Sequence, residues 1–447
     1  MWPGSNLLSM IKRKIHNFLY RWGTLMLAAV IPFSMRMTTW IIIMLTLNWL
    51  AEGDLKSKFK TGYKNPLLIG CTLYYLLDLY GLIFTHHFQA GFEYIQKEAS
   101  FLAIPVIYFC NNSNDNNLRS QTALAFCLSV LATSLLFVFV GLVKYYQTGD
   151  VSFLFYHALV SPVNQHAVYF SIYTFICIAY LFNELKSQIP ARYIFSIIVV
   201  LIYFSVLLFF LRSKSVVGIT FIYAVYQLII SFFSRTPANK KQITYPAALM
   251  IGIIVVINTS NPFSREAEKL GRTNIKIVTQ PDYNQGIYFN EVELRLVLWK
   301  FAFQLLHENN AWVSGVSPGD AQSEINRKII DYHMYTGIPG TGDNGFLGYN
   351  LHNQYLETFY RSGIVGLLLL VWILFTGYRA AFRNRDEVLF FLLSAFAIVF
   401  ITESVLEREF GIVPFIFFIC LMAKTSTVVP LNLLFNKGYG EVAKNIR

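Results

Sequence analysis

The sequence predicts an all-α polytopic membrane protein, and three observations carry that expectation. Of its 447 residues, 55% are hydrophobic and only 14% charged, too little polar surface for a soluble chain of this length. Mean hydropathy is positive, at +0.48. Runs of roughly 18 or more apolar residues recur along the chain, each long enough to cross a bilayer as a helix.

Taken in order, the apolar segments fall at 17–34, 37–51, 65–85, 98–110, 120–144, 164–183, 191–211, 214–233 and 243–258, then at 352–377, 386–402 and 409–425. About twelve transmembrane helices are expected, the second and fourth short enough to be tilted or partly re-entrant. Residues 1–258 then form an N-terminal transmembrane bundle of about nine helices. Residues 259–351 form a loop domain, and 352–447 hold about three more helices and a tail.

Basic residues orient the bundle. The net charge is +11, which invites a nucleic-acid reading. Placing the N-terminus in the cytoplasm makes "KRK", "LKSKFKTGYK", "ELKSQIPAR", "SRTPANKKQ", "GYRAAFRNR" and the C-terminal tail all cytoplasmic. These segments, with Arg21 and Arg119, hold more than half of the 36 Lys and Arg residues, as the positive-inside rule requires. The charge is therefore a topology signal, and no nucleic-acid partner is expected. Lys12, Arg13 and Lys14 precede an apolar run without a small-residue cleavage site, so an uncleaved first anchor is expected. The five cysteines lie in or beside apolar segments without metal-ligand spacing, which suits buried small residues and not a disulfide framework.

The only long polar insert, Thr259 to Leu351, then lies outside, in the periplasm of a cell with two membranes. It reads as mostly helical. Leu294, Leu298, Phe301 and Leu305 in "FNEVELRLVLWKFAFQLLHEN" recur at helical spacing. "GVSPGD" is a turn, and Asp320 is placed to N-cap "AQSEINRKIIDYHM". "TGIPGTGDNGFLGYN", with five glycines, is expected to be a flexible lid just before His352.

The informative residues are polar groups at the outer ends of spans. Arg212 and Lys214 sit between the seventh and eighth apolar runs with almost no loop, costly unless they snorkel outward or meet an anion. Glu403, Glu407 and Arg408 lie between the last two spans, where a local ion pair competes with a direct role. Arg295, with Trp299 one turn on, has an exposed i−4 pair with Glu291 as its ordinary reading. His352 and Asn353 open the tenth span, where an interfacial histidine bonded to a neighbour is the ordinary reading. Yet the topology puts Arg212, Lys214, Arg295, His352 and Glu403 on one face of the membrane. Cations beside one imidazole suit a substrate carrying a diphosphate and a hydroxyl: the cations hold phosphate oxygens and the histidine takes a proton. No Asp/Glu cluster with metal-binding spacing stands outside, so neither a divalent cation nor a cofactor is expected.

Four stretches, met in order, carry a family resemblance. "HNQYLETFYRSGIVGLL" resembles the signature of the O-antigen ligase and polymerase superfamily, in which a His-Asn or His-Ser pair opens a helix and Gly-x-x-Gly follows; His352, Asn353, Gly363 and Gly366 match. "RLVLWKFAFQLLHENNAWVSGVSPGD" is similar to the family's Arg-x-x-x-Trp element and glycine turn at Arg295, Trp299, Gly315, Gly319 and Asp320, with Ser317 replacing the middle glycine. "LRSKSVVG" resembles a Ser-Arg element with Lys214 at the arginine position and Arg212 two residues earlier. "TESVLEREFG" is similar to the tail motif of a Bacteroidetes-type branch. The matches span roughly residues 205 to 420.

The resemblance implies a metal-independent, inverting GT-C-type glycosyltransferase at the periplasmic face of a bacterial inner membrane. Its donor would be an undecaprenyl-diphosphate-linked glycan and its acceptor a sugar of lipid A-core. An O-antigen polymerase or a protein O-oligosaccharyltransferase of the same superfamily remains the alternative. A lipid-linked sugar transporter is a rival of another class. It fits less well, because the ionisable residues cluster at one face and no internal repeat is found.

Overall fold

The computed structural model describes residues 4–111, 117–186, 190–233, 244–252 and 274–424. Among them the chain is mostly helical, with one isolated antiparallel bridge, Ile338 to Asp343. The helices are α1 (Gly4–Val30), α2 (Met35–Glu52), α3 (Leu55–Gly62), α4 (Pro66–Gly81), α5 (Phe88–Glu98) and α6 (Ser100–Phe109). Next come α7 (Leu118–Thr148), α8 (Tyr156–Val160), α9 (Ala167–Lys186), α10 (Ala191–Leu211), α11 (Lys214–Phe233) and α12 (244–252). The insert contributes α13 (Glu291–Glu308) and α14 (Ala321–Asp331), and the chain continues through α15 (Gln354–Asn384), α16 (Glu387–Thr402) and α17 (Glu409–Lys424).

Among the described residues, six helical segments are long and apolar enough to cross a membrane: 66–84, Leu118–Thr148, Ala167–Lys186, Arg192–Leu211, Lys214–Phe233 and Gln354–Asn384. Glu387–Thr402 is a shorter apolar helix. The expected fourth span, 98–110, is the ten-residue α6, preceded by the separate helix α5; at about 1.5 Å rise per residue α6 alone cannot cross a bilayer. Residues 253–258 of the expected ninth span, 259–273 of the insert and the tail from 425 lie outside the described residues.

Apolar faces pack the long helices around α9, whose side chains are buried along nearly its whole length, and around α17. At one end the bundle is tied by ion pairs: Arg119 to Asp386 at 2.5 Å and Lys186 to Glu387 at 2.8 Å. The other end carries the insert, which has its own apolar core. The expected stripe Leu294, Leu298, Phe301 and Leu305 is buried there against Ile325, Ile329 and Tyr360. Helix α13 is started by a capping box, Asn290 accepting from the Glu293 amide while Glu293 accepts from the Asn290 amide.

The insert docks on α15 through a deliberate break. Gly363 has φ 65° and ψ −168°, so the helix is interrupted there. The interruption frees backbone groups that the insert takes up. The amides of Val316 and Ser317 donate to the carbonyls of Tyr360 (2.9 Å) and Arg361 (3.1 Å), and the Ile364 amide donates to Trp312 (3.0 Å). A Cβ on Gly363 would lie 2.0 Å from the Val313 carbonyl oxygen, so this close approach requires glycine. The glycine turn and the His-Asn helix are thus two sides of one joint.

Candidate active site

Helix α15 starts at Gln354, two residues later than its apolar run suggests. His352 lies before it, in the left-handed region at φ 49°, and is not on a turn of the helix. Asn353 is the N-cap, its side chain accepting from the Leu356 amide at 3.0 Å. That cap ends the helix hydrogen bonding and leaves the His352 side chain free to turn aside. The Trp299 indole, on α13, donates to the Leu351 carbonyl at 2.8 Å and so anchors the loop entering the site.

His352 Nδ1 stands 3.4 Å from Glu403 Oε2, just past the end of α16. With the proton on Nδ1, the ring donates to Glu403 and leaves Nε2 as a base. Arg295 Nη2 reaches the other oxygen of the same carboxylate at 3.9 Å. The expected local pairing of Glu403 with Arg408 is replaced by these two distant partners. Likewise, Arg295 meets Glu403 where an i−4 pair with Glu291 was the ordinary reading. Burial pushes the Glu403 carboxyl up, but the hydrogen bond and charge of His352, then His166 and Arg295, outweigh it and hold the group below its ordinary value.

Lys214 and Arg212 reach the rim differently. Ser215 Oγ lies 3.0 Å from Thr402 Oγ1, which ties the start of α11 to the residue before Glu403 and leaves Lys214 exposed beside it. Arg212, at φ 50°, ends α10 with its guanidinium 4.0 Å over the Phe155 ring. Among the described residues, Arg212 makes no ion pair with Glu403.

Sequence reasoning passed over the 155–166 segment. Tyr156, at φ 52°, turns the chain so that its ring meets His157 at 3.9 Å; His157 meets His166 at 4.3 Å and His166 meets Tyr169 at 4.7 Å. Tyr156, Asn164, Arg212 and His352 are all left-handed, and such conformations persist in non-glycine residues only where surroundings hold them. Burial lowers His166 to about 4 and also lowers His157, so both rings are neutral near pH 7. The signal was present: "NQHAVYF", like "LHNQYLE", is a polar triplet with histidine at the mouth of an apolar run.

Asp320 was expected to cap α14. Its backbone is in the helical region and its side chain makes no cap bond. Instead it accepts from the amides of His86 and His87 (3.0 Å each), from His87 Nδ1 (2.8 Å) and from Ser317 Oγ (2.9 Å). Burial alone would raise its pKa; these bonds outweigh it and lower it. Ser317, at the position where the resembling family has glycine, takes φ 104° and offsets the strain with bonds to Asp320 and to Thr85 (3.0 Å). The glycine-rich stretch is also tighter than a free lid. The Phe346 amide donates to Tyr335 at 2.9 Å and the Ile338 amide to Asp343 at 3.2 Å, closing the loop on itself.

Behind the site lies a buried cluster. Arg361 binds Glu407 with both Nη groups, at 2.6 and 2.5 Å, and Glu357 at 3.3 Å, and packs 3.8 Å over the Tyr94 ring. Glu357 in turn accepts from the Leu351 amide (2.8 Å) and from Ser404 Oγ (3.2 Å). These bonds hold the residues preceding His352 and following Glu403 in fixed register. Glu407 therefore belongs to Arg361 and not to Arg408. Among the described residues, no group of three or more His, Cys, Asp or Glu is arranged to hold a metal ion. No family model matches the sequence, and no curated protein matches it either.

Proposed function

We propose that this chain is an O-antigen-ligase-like glycosyltransferase of the GT-C type, with about twelve membrane segments and its site at the periplasmic face of a bacterial inner membrane. It moves a glycan from undecaprenyl diphosphate to a sugar hydroxyl of lipid A-core, with inversion and without a metal. The observation that carries this reading is the Glu403 carboxylate, held between an imidazole (3.4 Å) and a guanidinium (3.9 Å) at the mouth of α15. The motif resemblance, in its order along the chain, supports the same class.

His352 Nε2 takes the proton of the attacking hydroxyl as the acceptor oxygen bonds to the anomeric carbon. The bond from that carbon to the phosphate oxygen breaks, and its electron pair leaves with the diphosphate. Glu403 fixes the ring and stabilises the imidazolium that forms. Arg295, with Arg212 and Lys214 at the rim, binds the phosphate oxygens and offsets the charge of the leaving group. Asn353 and Trp299 keep His352 where the acceptor arrives.

Reconstituted protein supplied with a lipid-linked glycan and, separately, lipid A-core, free glycan or protein acceptors tests this. Transfer to lipid A-core with inverted anomeric configuration, persisting in chelator, is expected. Transfer only to glycan or protein would reassign the acceptor. Translocation of the donor without transfer would overturn the enzymatic reading in favour of a transporter.

A further inference from the structure

At the end of the bundle opposite His352, an apolar groove runs between α2, α4 and α6, with α3 across its mouth. Its volume is about 580 Å³, and its lining includes Trp49, Phe59, Tyr63, Ile69, Leu73 and Ala103. That volume falls within the range of roughly 300–1,000 Å³ typical of small-molecule sites. Ile69 and Leu73 are 40% and 47% exposed, so the groove is open along the membrane-facing side of α4.

Helix α3 is built to stay at that mouth. Lys58 is its one buried lysine: Nζ donates to the Trp49 carbonyl (2.5 Å) and pairs with Glu52 (2.9 Å). Phe59 packs edge-on to Trp49 at 5.5 Å, and Gly62 sits against Phe109 and Cys110. The other lysines here, Lys56 and Lys60 on the helix and Lys64 just past its end, are exposed, and none has an acidic partner among the described residues. Of the two acids nearest in sequence, Glu52 pairs with Lys58 and Asp54 precedes the helix. Lys56 and Lys60 are four apart, a like-charge spacing that disfavours a helix unless an anion lies between them. Each also stands three residues before a groove aromatic, Phe59 or Tyr63, which places it at the groove's edge.

We propose that this groove binds one anionic membrane phospholipid, an acyl chain lying along α4 and α6 and the phosphate meeting Lys56, Lys60 and Lys64. The charge pattern selects the occupant. An apolar trough ending in three cations at the membrane surface matches a lipid with a net negative headgroup; in a zwitterionic lipid the phosphate charge is offset by the lipid's own ammonium, which weakens the attraction. The proposal does not depend on what reaction the other end performs.

Full-length protein in neutral detergent, titrated with phosphatidylglycerol or with phosphatidylcholine of the same chains, tests it by native mass spectrometry and thermal melting. One phosphatidylglycerol retained per chain, with a raised melting temperature that phosphatidylcholine does not give, is expected. Replacing the three lysines with glutamine should weaken binding about fivefold per lysine, on the order of 10²-fold together. Ala103→Phe, which fills the groove and leaves every lysine in place, should abolish retention. Equal retention of both lipids, or retention unchanged in either variant, would overturn the proposal; retention lost with the lysines but kept in Ala103→Phe would mean headgroup adsorption alone.

Discussion

Around Arg361 the charges are buried and close; around Glu403 they are half-open and long. Arg361 and Glu357 are each 6% exposed, and the contacts to Glu407 measure 2.6 and 2.5 Å. His352 and Arg295 are each 27% exposed, and their contacts to Glu403 measure 3.4 and 3.9 Å. Both clusters use carboxylates and arginine, and they share a backbone: Glu357 grips Leu351 and Ser404, neighbours of His352 and Glu403. The difference separates two jobs. A bidentate buried pair is closed off from a substrate, whereas long, exposed contacts leave Arg295 and His352 able to exchange Glu403 for a phosphate or a hydroxyl. The tight cluster holds the loose one in place.

If so, the two clusters must fail in different ways. Arg361→Ala leaves Glu407 and Glu357 buried without their cation, and breaking such a pair costs about 3–5 kcal/mol. A large fall in melting temperature is expected, read by thermal unfolding of purified protein. An unchanged melt would erase the distinction. Arg295→Ala should do the reverse. Transfer falls by about 2–4 kcal/mol in transition-state free energy and donor binding weakens, while the melt stays within about 0.5 kcal/mol of the parent. Steady-state kinetics beside a donor titration decide this, and full transfer with full affinity would return Arg295 to an ordinary surface role.

Asp320 sharpens the comparison at a third point, because it is buried like Glu357 but serves backbone, imidazole and hydroxyl donors and, among the described residues, no arginine. Its folded pKa is lowered, so its contribution is present above the unfolded value of about 3.9 and is lost as pH falls through the lower folded value. Asp320→Asn should cost about 1–3 kcal/mol near neutrality and flatten the acid limb of the stability curve below about pH 4. Parallel acid limbs for parent and variant would remove Asp320 from that linkage.

Much of this was legible beforehand, and the parts that were not share a cause. Helical periodicity found the stripe through Leu294 and Leu305, and the topology reading brought Arg295, His352 and Glu403 to one end. Side-chain partners were read less well. Local spacing suggested Arg408 for Glu407, Glu291 for Arg295 and a cap role for Asp320, yet each bonds across the fold to Arg361, Glu403, and His86 with His87. Sequence spacing reports neighbours within one helix, and each of these contacts joins elements far apart in the chain. His157 and His166 were missed for the same reason, since nothing local links them to a carboxylate more than two hundred residues later.

The most direct test is His352→Gln, with turnover, donor binding and thermal melting measured on one preparation. Glutamine keeps a hydrogen-bonding partner for Glu403 but cannot take a proton from the acceptor at neutral pH. Turnover should fall on the order of 10²–10⁴-fold, with donor affinity within about twofold of the parent and the melt unchanged. A variant that still transfers glycan at a rate near the parent's would contradict the role of His352 as the base and leave it as a residue that only positions the acceptor.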